Sequence, residues 1–224
     1  MKVKVVCTTD DPIDDLVAHE ALAKEKDSLK VLPTFRPDAS WGITDEHFGE
    51  YMRKLAQCTH QKIESFTDLT QALSKRVTYF HEKGGRLADQ GLNTYFYQKA
   101  SETELNTILT DALQGKRDFS KKETAQFKTA IQLHLMKCYH QYNWTMQMHM
   151  NALRDDSATM KQRIGINVGG DSMGDQVNLA SNLVALFSDA QEQAILPKII
   201  LYSLNPADWL PLATAMQSFQ GEMI

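Results

Sequence analysis

The chain of 224 residues sets 24 Lys and Arg against 28 Asp and Glu, a formal net charge of −4, and 42% of it is hydrophobic. That is ordinary globular composition with enough length for a sizeable core, and the mildly acidic balance without a basic run argues against nucleic acid as the main partner. No apolar stretch reaches the ~20 residues that a bilayer-spanning helix needs. The N-terminus turns polar too early for a signal peptide, and Cys7, Cys58 and Cys138 lack CxxC spacing, so reduced thiols in a cytoplasmic protein are expected.

In chain order, "VKVVCTT" (3–9) is a short β-rich run that turns at once into "DDPIDD", the pattern of a strand feeding a helix. "KVLPTFRPD" (30–38) repeats it, ending in Arg36, Pro37 and Asp38. Phe48, Met52 and Leu55 share one helical face. A second helix fits Phe66–Glu82 and stops at Gly84–Gly85. "GRLADQGL" (85–92) predicts another strand with a polar end. Ser101 with Glu104, and Ser120 with Glu123, make two capping boxes, the second opening a helix to about Tyr142.

The next strand, 144–152, has two characters. Met146, Met148 and Met150 point one way; Gln147, His149 and Asn151 point the other, with Arg154 just beyond. "IGINVGGDSMGD" (164–175) reads as a glycine-bearing loop before a helix over about 176–190. It lacks the lysine and spacing of a P-loop. "KIILYSLNP" (198–206) is the last strand and Asp208–Phe219 the last helix.

Strands alternating with helices predict an α/β fold with a parallel sheet. Every strand ends in polar residues: Asp10 and Asp11, Arg36 and Asp38, Asp89 and Gln90, His149 and Arg154, Asn205. Ligands of such folds bind at the carboxyl ends of the strands. Parallel strands are normally covered on both faces, so the polar row 147–151 reads as the lining of a site rather than a solvated face.

"TDDPIDDL", "VLPTFRPD", "GGRLADQGL", "MHMNALR", "GGDSMGD" and "ILYSLNPADW" occur in the same order in uronate (glucuronate) isomerases of the amidohydrolase superfamily. The chain resembles that family from about residue 3 to about residue 221. The resemblance implies a partial TIM-barrel-like (β/α) arrangement with inserted helices. Residues 1–224 would be its central part, with 44–84 and 98–143 as helical excursions. It also implies aldose–ketose interconversion in sugar-acid catabolism: D-glucuronate with D-fructuronate, and D-galacturonate with D-tagaturonate. Such a reaction needs a base, a stabiliser for the enediolate oxygen and a cation for the substrate carboxylate.

Arg36 suits the cation role, because a guanidinium fork matches a carboxylate bidentately; its alternative is a structural pair with Asp38. Arg154 is a second substrate-binding candidate, against a pair with Asp155 or Asp156. His149 is the catalytic candidate, as proton carrier or hydroxyl binder, against a satisfied structural histidine. Asp171 is a substrate-binding candidate, as is Asp89; a helix start or a strand-end cap is the alternative for each. The Asp10–Asp11 pair reads as a β-to-α cap rather than a metal or hydroxyl ligand.

Some family features are missing. The chain has no His-x-His pair and no Asp-Ser-Arg stretch, so no metal site is expected within it; a divalent metal such as zinc is expected only in a full-length member. On this reading the chain is a fragment, inactive in isolation, whose open strand edges favour a homo-oligomer. Gln90 stands where family members usually have His, and Ala207 where many have a basic residue. Both changes read as the loss of groups that bind an acid sugar or carry a proton. Two alternatives stand beside the isomerase. One is a metal-dependent hydrolase, disfavoured by a single strand-end His. The other is a non-catalytic truncated relative acting as an interaction module.

Overall fold

The computed structural model describes residues 2–25, 29–166 and 168–220. Strand β1 (Val5–Cys7) pairs in parallel with β2 (Lys30–Leu32), and helix α1 (Val17–Ala23) lies between them in the chain. The segment 30–38, expected as one strand, is divided at Pro33, which has no N–H to give to a ladder. It resumes as β3 (Thr34–Phe35). The ladder toward the first strand still runs across the break: Thr8 N–H donates to Leu32 O at 3.0 Å and Asp10 N–H to Thr34 O at 2.9 Å.

Helices α2 (Phe48–Thr59) and α3 (Phe66–Glu82) precede β4 (Leu87–Leu92), which pairs in parallel with β3. Helices α4 (Glu102–Leu113) and α5 (Lys121–Gln141) precede β5 (Thr145–Met150). Both capping boxes read from the sequence open these helices, at Ser101 and Ser120, and a third at Ser65 with Asp68 opens α3. Each satisfies backbone N–H groups that a helix start leaves without partners.

The region expected to be a plain loop holds more structure. An antiparallel pair, β6 (Ala152–Leu153) with β7 (Ser172–Met173), encloses α6 (Ala158–Ile164), whose start is capped by Ser157. Helix α7 (Leu179–Glu192) begins later than expected, because Gln176 is tied to β4: it donates to Leu92 O at 2.6 Å and accepts from Tyr95 N–H at 2.7 Å. Strand β8 (Lys198–Ser203) and helix α8 (Trp209–Gln217) complete the described chain.

All the strands apart from the β6–β7 hairpin are parallel, in the spatial order β3–β4–β5–β8, with β1 continuing the row through β2 and a bridge from Asp10 to Phe35. Neighbours in the four-stranded sheet follow one another in sequence, apart from the β6–β7 hairpin between β5 and β8. The row does not close, so β1 and β8 are free edges among the described residues.

One face of this sheet is the core. Met146, Met148 and Met150 of β5 are buried beneath the helices with Phe35, Phe80, Tyr139 and Trp144. Phe35 meets Phe80 edge-on at 5.0 Å between centroids. Burying each such side chain contributes about 1.5–3 kcal/mol. The opposite face of β5 and β8 has no helical cover and carries Gln147, His149, Ile200 and Tyr202, which keep partial exposure. No helix among the described residues is long and apolar enough to cross a membrane.

Candidate functional site

Period-2 alternation and parallel register bring the uncovered face together at the carboxyl ends of the strands. Gly91 of β4 is in register with His149 of β5, and His149 with Tyr202 of β8. Asp89 lies two residues before Gly91 and so shares its face. Arg36 follows β3 directly.

These side chains form one connected group. Asp89 accepts from Arg36 Nη1 at 3.2 Å through one carboxylate oxygen and contacts His149 Nδ1 at 2.5 Å through the other. An ionised carboxylate only accepts, so His149 Nδ1 carries the proton and Nε2 is the ring nitrogen without a protein partner among the described residues. Arg36 Nε donates to Asp38 Oδ2 at 2.9 Å, and Asp38 in turn accepts the Gly91 N–H at 3.2 and 3.0 Å. The Asp89 side chain is only 8% exposed, Arg36 34% and His149 44%, a gradient from buried anchor to accessible ring.

Gly91 is there because nothing larger fits. A Cβ at that position would stand 2.8 Å from Arg36 Nη2 and 2.9 Å from Asp38 Oδ2. Burial pushes the Asp38 carboxyl up, against the opposing pull of Arg36 and the Gly91 N–H. Burial also disfavours the charged Arg36, but the charge and hydrogen bond of Asp38, with Asp89 behind, outweigh it and hold the guanidinium above its ordinary pKa.

Arg154 is held differently. It pairs with Asp171, Nη1 to Oδ2 at 2.5 Å, and its side chain is 54% exposed. Asp171 also accepts the Asp155 N–H at 3.1 Å, and that bond, with Arg154 second, holds its carboxyl below the usual range. Arg36, Asp89, His149 and Arg154 line one open cleft of about 840 Å³, whose apolar wall includes Trp209 and Leu212. Asp171 stands behind Arg154, outside the lining.

Three sequence expectations change. Asn151 does not continue the polar row: at φ +64° it breaks the alternation, is fully buried, and its Nδ2 donates to Asp208 and to Ser203 Oγ. Gln90 is not a group lost from the site. It is next to Asp89, so it faces the helices, where it is fully buried and accepts from Gln132 Nε2 of α5 at 3.0 Å. Ala207 lies in the turn Pro206–Asp208, its N–H bound to Asn205 Oδ1, outside the cleft lining. Of the Asp10–Asp11 pair, Asp11 caps the local Ile13 N–H, whereas Asp10 accepts the Thr34 N–H of the neighbouring strand and the Thr8 hydroxyl.

Sequence reasoning missed Gly91 and Tyr202. Tyr202 stacks on the His149 ring at 4.6 Å and 28°, and donates its hydroxyl to Gln147 Oε1 at 3.2 Å. The alternation of "KIILYS" places Tyr202 with Ile200, but only the register shows that it sits opposite His149. Among the described residues no group of three or more His, Cys, Asp or Glu is placed to hold a metal ion.

A parallel, sequentially ordered sheet with helices on one face and polar side chains on the other defines an opened (β/α) barrel with a cleft at the carboxyl ends of its strands. The profile of the glucuronate isomerase family matches residues 1–224, and the chain belongs to that family. It is 45% identical over 220 residues to the uronate isomerase of Lactococcus lactis subsp. cremoris, spanning 98% of this chain and 46% of that one. The uronate isomerase of Latilactobacillus sakei is 39% identical over 221 residues, spanning 98% and 47%. Among solved structures, a uronate isomerase from Thermotoga maritima superposes with TM-score 0.90 at 25% identity over 97% of this chain and 47% of that one. A glucuronate isomerase from Caulobacter crescentus shares the fold, with TM-score 0.81 at 21% identity over 92% and 42%. The chain spans about half the length of the curated relatives it matches.

Proposed function

We propose that this chain supplies the sugar-acid pocket of a uronate isomerase that interconverts D-glucuronate with D-fructuronate and D-galacturonate with D-tagaturonate. The observation that carries the reading is the Arg36–Asp89–His149 chain across three adjacent strand ends, open to one cleft. Two N–H groups of Arg36 are held by Asp38 and Asp89; the others remain for a substrate carboxylate. His149 Nε2 is the base. It takes the proton from C2 of the open-chain aldose and the electron pair forms the enediolate; the O2 hydroxyl proton passes to O1, and return of the Nε2 proton to C1 leaves C2=O2 and gives the ketose. Asp89 stabilises the imidazolium formed on the way. Arg154, kept in place by Asp171, adds positive charge where the enediolate oxygen or the carboxylate lies. The cleft falls within the ~300–1,000 Å³ range of small-molecule sites.

The same reading puts the protein in the cytoplasm, and puts a homo-oligomeric contact on the free edges β1 and β8. The described residues do not compose a metal site, and no step here passes through one. A second reading, a non-catalytic interaction module, draws on the exposed apolar side chains of Leu204, Trp209 and Leu210 beside the β8 edge.

Calorimetric titration of the purified chain with D-glucuronate and, separately, with D-glucose separates the two. The pocket reading expects D-glucuronate to bind and D-glucose, which has no carboxylate, to bind at least tenfold more weakly, about 1.4 kcal/mol. Equal binding, or none of either sugar to the folded chain, contradicts it.

A further inference from the structure

We propose that Tyr202 is the positioning residue that fixes the His149 ring, an assignment that rests on the cleft being the reactive site. A histidine at an open strand end has two side-chain torsions to fix. The Asp89 contact at Nδ1 fixes one edge of the ring and leaves it free to swing about that contact. The Tyr202 ring closes the remaining freedom, lying on the imidazole face at 4.6 Å and 28°. Tyr202 is directly opposite His149 in the β5–β8 register, so the backbone ladder itself sets the stack.

Tyr202 is in turn anchored. Its hydroxyl donates to Oε1 of Gln147, which precedes His149 by two residues on the same face of β5. The four side chains Asp89, His149, Tyr202 and Gln147 thus form an arc across β4, β5 and β8, with the imidazole gripped at an edge and a face. What this arc leaves open is Nε2. A base must be held in a near-attack orientation, and small displacements are costly in rate. The polar row of β5 therefore has a division of labour: His149 acts, and Gln147 holds the residue that holds it. Among the described residues the Tyr202 hydroxyl meets only the Gln147 amide, and the side chain is half-exposed, which suits a brace rather than an acid.

The test is the His149 Nδ1–H resonance in proton and nitrogen NMR of the whole chain, assigned by its disappearance in His149→Gln. Tyr202→Leu removes the ring; Tyr202→Phe keeps it; Gln147→Ala removes the anchor. Exchange of the Nδ1 proton with water is expected to quicken roughly tenfold in Tyr202→Leu, because the ring opens more often. Tyr202→Phe, which keeps the ring but loses the hydroxyl, and Gln147→Ala remove the same anchor, and both are expected to fall between the native chain and Tyr202→Leu. Tyr202→Val, also a strand former, repeats the measurement should the Leu variant not fold. An unchanged exchange rate in Tyr202→Leu overturns the assignment, as does equal acceleration in Tyr202→Phe. The readout needs no sugar, so its failure is distinct from a failure of D-glucuronate to bind.

Discussion

Two arginines face the same cleft, and the structure treats them in opposite ways. Arg36 rises from a strand end inside the sheet, gripped by two carboxylates, Asp38 and Asp89, and pressed against a glycine. Arg154 stands on the short β6–β7 excursion, paired with Asp171 and with more of its side chain in water. The first is preorganised: Asp38 is fixed by the Gly91 N–H, and Asp89 stands within β4 with His149 on its other carboxylate oxygen. The second is a surface pair of the kind that contributes ~0–1 kcal/mol. Charge at the mouth of a cleft is common; charge aimed before the ligand arrives is what gives affinity and orientation.

The largest effect expected from this contrast is in Arg36→Met. Removing a charge-assisted fork should cost at least about 2 kcal/mol, roughly a 30-fold loss of D-glucuronate affinity by calorimetry. Arg36→Lys keeps the charge without the fork and should recover only part of it. A Lys variant that binds like the native chain contradicts bidentate recognition.

Gly91→Ala should come next. The added methyl meets the Arg36 guanidinium at 2.8 Å, and the guanidinium cannot retreat without leaving Asp38 or Asp89. A loss of ~1–3 kcal/mol in thermal unfolding is expected, with weaker sugar-acid binding. Native affinity in this variant would show that Arg36 is less constrained than the geometry states.

Gln132→Leu sharpens the boundary of the site from the other side. It leaves the buried Gln90 carbonyl without its donor, so stability should fall by ~1–3 kcal/mol while D-glucuronate affinity holds. Affinity falling in step with stability would place Gln90 in the site after all.

The smallest effects concern acid. Asp38 is pushed above the ordinary 3.8 by burial, and Asp171 is held below 3.8 by the Asp155 N–H and Arg154. As pH falls, Asp38 therefore protonates first and Asp171 last. The folded state binds the Asp38 proton more readily than the unfolded chain does, so this group favours folding increasingly as pH drops toward 3.8. The small contribution of Asp171 is present above 3.8 and is lost as pH falls through its depressed value. Carboxyl-carbon NMR shifts of the two residues through an acid titration should show midpoints in that order; the reverse order contradicts the description of both arginine pairs.

Much of the frame was legible because it is local. Capping boxes at Ser101 and Ser120 are read within a few residues, and the alternation of β5 announced a buried methionine face. The parity argument even contained the answer for Gln90, since a strand that turns Asp89 to the cleft must turn its neighbour to the helices. What was not legible depends on register or on unusual backbone. Nothing in "LADQGL" says that Gly91 will meet Arg36, and nothing in "KIILYS" says that Tyr202 will lie against His149. Asn151 defeats the alternation because its backbone is left-handed, a state that asparagine tolerates and sequence pattern does not record. Pro33, by contrast, was visible, and its missing N–H explains the divided strand.

The most direct test of the central claim, that one preorganised arginine makes this cleft a sugar-acid pocket, is D-glucuronate calorimetry on Arg36→Met and Arg154→Met side by side. The structure predicts a loss of roughly 30-fold for the first and within about threefold for the second. Equal losses, or a larger loss at Arg154, would contradict it.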